Sequence, residues 1–318
     1  MLLAAWILAL LAVALAAPVP ILLSRASWPS RSPALALVLW QAIALAGGLS
    51  MIGAMLTWGL IPFGQTLTSA LTALSTSILQ ETLPPGVNFI HVFALCGAFF
   101  LGAHLLLNLV LTFVRAERQR RRHHNLVDLL SEPLHGRPGT RVLDHAAPVA
   151  YCLPGAMRSI TVLSGGLLTL LEPDELRAVI AHEKAHLSQQ HHMVLLAFKS
   201  WNSALPWFPI ANRAEKAVAL LVEMLADDQA RRAVNDRTLA RAIALVGTAG
   251  ESGGIAASNN ANGTTTDTAD AEHPFDLVMP RVNRLLAPPA PLPLAARVSV
   301  VLVSLSLLAV PTALLLAA

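Results

Sequence analysis

The residues best suited to chemistry stand in the run His182-Glu183-Lys184-Ala185-His186. On a helix, positions i and i+4 project from one face, so His182 and His186 can offer two imidazole nitrogens to one Zn²⁺ at about 2.0–2.1 Å. Glu183 then stands beside the metal without ligating it, placed to take a proton from an attacking water and pass it to a leaving amine. A catalytic zinc takes three protein ligands and keeps one position open, so the chain must supply another. Two residues compete. His192 would require a sharp turn at position 189, where Gln189 stands instead of glycine. Glu223 lies on a second periodic stretch, 214–233, with Asp227 four residues later on the same face, where a carboxylate can hold a ligating histidine in one tautomer. Glu223 is the stronger candidate. His191 and His192 are then neighbours of the ligands or a solvated helix end.

Stepping outward from these residues, Asp174 and Glu175 open an apolar-periodic helix (Leu176, Val179, Ile180) that carries His182 to His186, with acidic groups at its positive end. Before it, Ala150-Tyr151-Cys152-Leu153 and Ser159-Ile160-Thr161-Val162-Leu163 read as short strands separated by Pro154-Gly155, a hairpin or meander edge closed by Gly165 and Gly166. After the second helix, residues 250–271 are poor in apolar side chains and read as a disordered linker, followed by His273-Pro274 and by Arg281 and Arg284.

The rest of the chain is of a different kind. Of its 318 residues 55% are hydrophobic and 13% charged, with a mean hydropathy of +0.59, against roughly a quarter charged in a soluble domain. Of the 41 Lys, Arg, Asp and Glu residues, 38 lie between Arg115 and Arg297; the exceptions are Arg25, Arg31 and Glu81. Uncharged stretches at about 2–23, 33–60, 89–114 and 298–318 are long enough to cross a hydrocarbon core of about 30 Å. This predicts a membrane region of three spans over 1–114, a polar block over 115–297 and a fourth span. Retention of the first stretch is favoured over a signal peptide, because no Lys or Arg precedes it. Residues 61–88, rich in Thr and Ser, read as an exposed loop with one surface helix, a re-entrant segment being the alternative. Arg25 and Arg31 in the first loop, none in the second, and Arg115, Arg118, Arg120, Arg121 and Arg122 after the third span put the polar block in the cytoplasm and both termini outside. The arginine run suits anionic headgroups of the bilayer. Within the third span, His91, His104 and Asn108 are polar, and interhelical hydrogen bonding accounts for them more simply than an intramembrane site. The net charge of +3 forms no basic stripe, so nucleic acid is not expected as a partner, and two cysteines make no disulfide framework.

Residues 177–192, the later Glu223-Met224-Leu225-Ala226-Asp227 and the strand-like 159–164 together resemble the membrane-embedded gluzincin metallopeptidases: signal-transducer peptidases of the BlaR/MecR type and the related HtpX-type and CAAX-prenyl-type proteases. The resemblance covers roughly residues 142–232. It implies His182, His186 and Glu223 as ligands of one Zn²⁺ per chain, Glu183 as general base and Asp227 as a supporting carboxylate. A short His-Pro and Arg-rich match to HtpX-type proteins adds His273 as a candidate transition-state stabiliser. The three-plus-one arrangement of spans resembles the BlaR/MecR branch, although no penicillin-binding sensor follows the fourth span, so a signal is expected to enter through the spans, the loop 61–88 or a partner such as a separate sensor protein.

The expected fold is thus a multi-pass α-helical membrane protein with a mainly α (α+β) zincin-like metalloprotease domain between spans 3 and 4. The expected function is zinc-dependent endoproteolysis at the cytoplasmic face of the plasma membrane, acting on a protein or peptide such as a transcriptional repressor or the enzyme itself. HtpX-like quality control of membrane proteins and a non-catalytic membrane partner with a structural zinc are the alternatives.

Overall fold

The computed structural model describes residues 1–134, 139–153, 160–205, 209–258 and 274–318. In chain order the helices are α1 (Leu2–Ala16), α2 (Pro18–Arg25), α3 (Pro33–Gly59), α4 (Leu67–Leu79), α5 (Phe89–Leu130), α6 (Gly165–Leu170), α7 (Pro173–Ser188), α8 (His191–Ala204), α9 (Pro209–Ala230), α10 (Asp236–Ser258), α11 (Pro274–Leu286) and α12 (Leu294–Ala317). Four strands, β1 (Ser131–Pro133), β2 (Thr140–Leu143), β3 (Ala150–Leu153) and β4 (Ile160–Ser164), lie between α5 and α6. The chain forms two compact units. One comprises Met1–Thr112, Ala197–Val218 and Pro291–Ala318; the other comprises Phe113–Leu196 and Ala219–Ala290.

The first unit is helical and apolar. Among the described residues, four helical stretches are long and apolar enough to cross a membrane: Leu2–Arg25, Pro33–Gly59, Phe89–Leu130 and Leu294–Ala317. The first of these is broken at Ala17 (φ −135°, ψ −63°), because Pro18 removes a backbone donor and pushes the preceding residue out of the helical region. α1 and α12 pack on α3. The side chains of Leu8 and Leu315 both reach Gly53 of α3, where a Cβ would stand within 3.3 Å of them, so a small residue lets the three helices meet. Trp40 and Ile43 are buried in the same bundle, whereas Phe93, Phe99 and Phe100 of α5 and Leu302 and Leu305 of α12 face outward, as lipid-facing side chains do. Residues 61–88 hold α4, capped by reciprocal bonds between Thr66 and Ser69.

The second unit carries most of the polar block, 197–218 and 291–297 belonging to the first. Its sheet runs β1-β2-β4-β3, with β3 antiparallel and β2 parallel to β4. The expected pairing of β3 with β4 is present, while Pro154-Gly155 lies outside the described residues. β1 and β2, too short and polar to show a period, extend it. At the end of β4, Ser164 Oγ accepts from Val149 N and from Leu167 N, tying the sheet to the start of α6. Gly166 N donates to His145 O, and a Cβ on Gly166 would lie 1.8 Å from Ala146 O, so only glycine fits that approach.

α7 begins where Asp174 and Glu175 predict it. Pro173 occupies the first turn, and Glu175 Oε2 accepts from Glu172 N at 2.9 Å. The helix packs against β3 and against α10, and α10 in turn packs on α11 through Leu239, Ile243 and Leu285. The backbone of α10 is helical to Ser258, so the first part of the stretch expected as linker is helix; 259–271 lie outside the described residues. α5 also runs on past its apolar part to Leu130, its charged part braced by Glu117 with Arg120 and Arg121 at 3.0 and 2.8 Å.

Candidate metal centre

One turn apart on α7, His182 and His186 point their Nε2 atoms at each other across 3.1 Å. Glu223 of α9 closes a triangle, with Oε2 3.3 Å from His182 Nε2 and Oε1 3.3 Å from His186 Nε2. Among the described residues this is the only cluster of metal-ligating type. Two imidazole lone pairs facing each other repel unless a proton or a metal cation lies between them. A tetrahedral zinc with bonds of about 2.0–2.1 Å separates its ligands by about 3.3 Å. Donor set and spacing therefore fit the ion that the sequence implied, and the competing ligand His192 is exposed and outside the triangle. The turn after α7 falls at Gln190, which takes the left-handed conformation (φ 51°), one residue beyond the position expected.

Around the triangle the polar groups are arranged to hold each ring one way. Asp227 Oδ1 lies 2.9 Å from His182 Nδ1, which leaves Nε2 to face Glu223. His186 is fixed by a second chain of contacts. His191 Nε2 lies 2.9 Å from Gln189 Oε1, an acceptor, so that nitrogen carries the proton and His191 Nδ1 is a lone pair. That lone pair sits 3.1 Å from His186 Nδ1, which must donate, leaving His186 Nε2 free to ligate. His191 is 2% exposed, and burial together with the nearby His186 depresses it to a pKa of about 4, keeping it neutral. The reading of 191–192 as a solvated helix end is thus wrong for His191 and right for His192.

Arg281 of α11 is the residue that spacing did not reveal. Its Nε and Nη2 donate to the two oxygens of Asp227 at 2.8 and 2.7 Å, and its Nη1 pairs with Glu223 Oε2 at 2.8 Å. Three residues on, Arg284 makes the same fork to Asp228 at 2.8 Å for both bonds. The Arg-rich text at 281–284 was visible in the sequence, but nothing in it tied those side chains to residues more than fifty positions earlier. His273 lies outside the described residues.

The electrostatics favour positive charge at the triangle. Burial opposes a proton on His182, yet its bonds with Asp227 and Glu223 outweigh that and raise its pKa to about 9. Burial likewise opposes the charge on Glu223, but His182, His186 and Arg281 hold its carboxyl far below the usual carboxylate range. Glu183, next to His182 in the chain, is raised by burial against the pull of the two imidazoles, which moves it toward the range useful to a general base.

Among curated proteins and among solved structures none matches this chain. The triangle, Glu183 and Asp227 all lie inside a stretch that a family model recognises: residues 115–246 match Peptidase family M48, which implies metallopeptidase chemistry for this part of the chain.

Proposed function

We propose that the protein is a zinc-dependent membrane endopeptidase whose site is formed by His182, His186 and Glu223 as ligands and Glu183 as general base. The observation that carries this reading is the convergence of two imidazole nitrogens 3.1 Å apart with one carboxylate whose two oxygens each lie 3.3 Å from one of them, beside a further carboxylate, Glu183, that is not one of the three ligating groups. A structural zinc site is closed by four protein ligands and has no use for such a carboxylate.

When bound, the metal would supply Lewis-acid polarisation of a carbonyl and of water. The remaining steps belong to the chain. Glu183 would accept a proton from the attacking water and return it to the leaving amine, helped by a pKa raised through burial. Asp227 and the His191–Gln189 pair would keep both imidazoles in the ligating tautomer, and Arg281 would hold Glu223 and Asp227 in place. A peptide could be taken up in extended form on β3, which among the described residues pairs only with β4 and packs against α7.

The arginine distribution supports a cytoplasmic site in the plasma membrane with both termini outside. The substrate class that follows is a cytoplasmic regulator, such as a transcriptional repressor, or the enzyme itself, with any stimulus entering through the membrane helices or a separate sensor. Replacing Glu183 by Gln should lower cleavage by about 10²–10⁴-fold while leaving zinc content intact. Comparing new protein N-termini in wild-type and Glu183→Gln cells tests both activity and breadth. One or two differing substrates support regulatory proteolysis, many support quality control, and a variant that cleaves at the wild-type rate would falsify the mechanism.

A further inference from the structure

His104 and Asn108 stand four residues apart on one face of the apolar part of α5, and both are used on the end of α8. His104 Nε2 lies 3.1 Å from the carbonyl of Ala204, the last residue of that helix. Asn108 Nδ2 donates to Ser200 O at 2.7 Å and to Ser203 Oγ at 2.8 Å, spending both its hydrogens. Ser200 O also accepts from Ser203 Oγ at 3.0 Å and stands just before the last four carbonyls of the helix. Those last four, that of Ala204 among them, have no partner of the regular kind within it. In water they need none from the protein; in hydrocarbon they must find one.

The place of the contact decides which case applies. His104 precedes Arg115, the first charge on α5, by about 16 Å of helix at 1.5 Å per residue. Half a hydrocarbon core is about 15 Å thick. Residues 193–205 carry a single charge, Lys199, and Ala197–Val218 fall in the same compact unit as the apolar helices. Phe198, Ala204 and Leu205 are buried there. One polar pair joins the two limbs, Asn202 Nδ2 donating to Glu215 Oε2 at 2.8 Å, while Lys216 beside it is exposed. Lys199 and Arg213 are exposed, and their long stems can carry the charge toward the headgroups.

We propose that the chain around Ala204 is a re-entrant membrane segment. α8 enters the acyl-chain layer beside α5, its end is capped there by His104 and Asn108, and the chain returns to the same side through α9. This needs only that α5 spans the bilayer; it is independent of the peptidase reading. In the chain the segment follows the His182–His186 helix and precedes Glu223, so the metal ligands flank it in sequence.

The test is nitroxide labelling of the full chain, with Cys96 and Cys152 replaced by Ser, in phosphatidylcholine/phosphatidylglycerol vesicles. Labels at Lys199→Cys and Ser203→Cys are compared with Leu106→Cys, exposed on the apolar part of α5, and Thr82→Cys, exposed in the polar loop. The expected result is several-fold more collision with oxygen than with a water-soluble nickel chelate at both positions, as at 106. Adding Asn108→Leu should raise nickel access at 203, while Asn108→Gln should not. Nickel access at 199 and 203 equal to that at 82 overturns the proposal, and an Asn108→Leu variant with unchanged access at 203 overturns the capping role.

Discussion

Asp227 Oδ1 lies 2.9 Å from His182 Nδ1, while the other nitrogen of the same ring faces Glu223 Oε2 at 3.3 Å. One imidazole is thereby divided between an anchor and a ligand position. Both carboxylates come from α9 at a spacing of four, so a single helix supplies the third corner of the triangle and the brace for the first.

If the brace fixes the tautomer, Asp227→Asn should weaken zinc binding by about 10–100-fold, the cost usual for losing a carboxylate behind a ligating histidine. Competition with a chromophoric chelator measures it. Wild-type affinity in the variant would show that His182 is oriented by other means.

His191→Phe keeps the ring volume and burial but removes the acceptor for His186 Nδ1. Zinc affinity should fall by about tenfold or more. The unfolding midpoint of the metal-free protein should stay near wild type, since a buried neutral ring is exchanged for an apolar one. A large loss of stability with unchanged zinc affinity would assign His191 to packing alone.

The pH dependence of the metal-free protein has a definite sign. His182 has a folded pKa of about 9, above its unfolded value near 6.5, so its stabilisation is complete below pH 6.5 and lost as pH rises through 9. Glu223 and Asp227, both depressed, contribute stability above the ordinary carboxylate range that is lost on acidification. Thermal unfolding should therefore decline on both sides, and His182→Gln should abolish the decline between pH 6.5 and 9. An alkaline limb that survives in the variant would have to come from another group.

Arg281 is 8% exposed and forked onto Asp227. Arg281→Ala would leave the buried carboxylate of Asp227 without its fork and should cost about 3–5 kcal/mol in denaturant unfolding of the detergent-solubilised protein. Lys, a single-point donor, should recover only part of that. Full recovery by Lys would mean that charge alone matters at this position.

Much of the site was legible because helix periodicity converts spacing into direction. His182 and His186, like Glu223 and Asp227, are four apart, and their types announce their use. The pairing of β3 with β4 was legible from two short apolar runs on either side of Pro154-Gly155. Arg281 was not, since its role depends on a tertiary contact 54 positions away from Asp227. His191 was obscured by its neighbour: of two adjacent histidines only one can face inward, and the left-handed turn at Gln190 that decides which is not marked by glycine. The helical start of the supposed linker and the continuation of α5 past Val114 share another cause. Composition reports the solvent a segment meets, and a helix can pass from lipid to water, or out of its packing, without ending.

That continuity makes the charged end of α5 the stem of the sheet. The helix runs without a break from Phe89 to Leu130, and β1 begins at the next residue, Ser131. Arg141 of β2 clamps the junction, with Nε donating to Ser131 Oγ at 2.7 Å and Nη2 to Asp128 O at 3.1 Å. Val127 is locked into the sheet's core with Leu153 and Val162, and the His123 ring lies 5.0 Å from that of Tyr151 on β3. Among the described residues no loop separates α5 from β1, so the charged end of the helix feeds directly into the sheet whose β3 strand packs against the helix carrying His182 and His186.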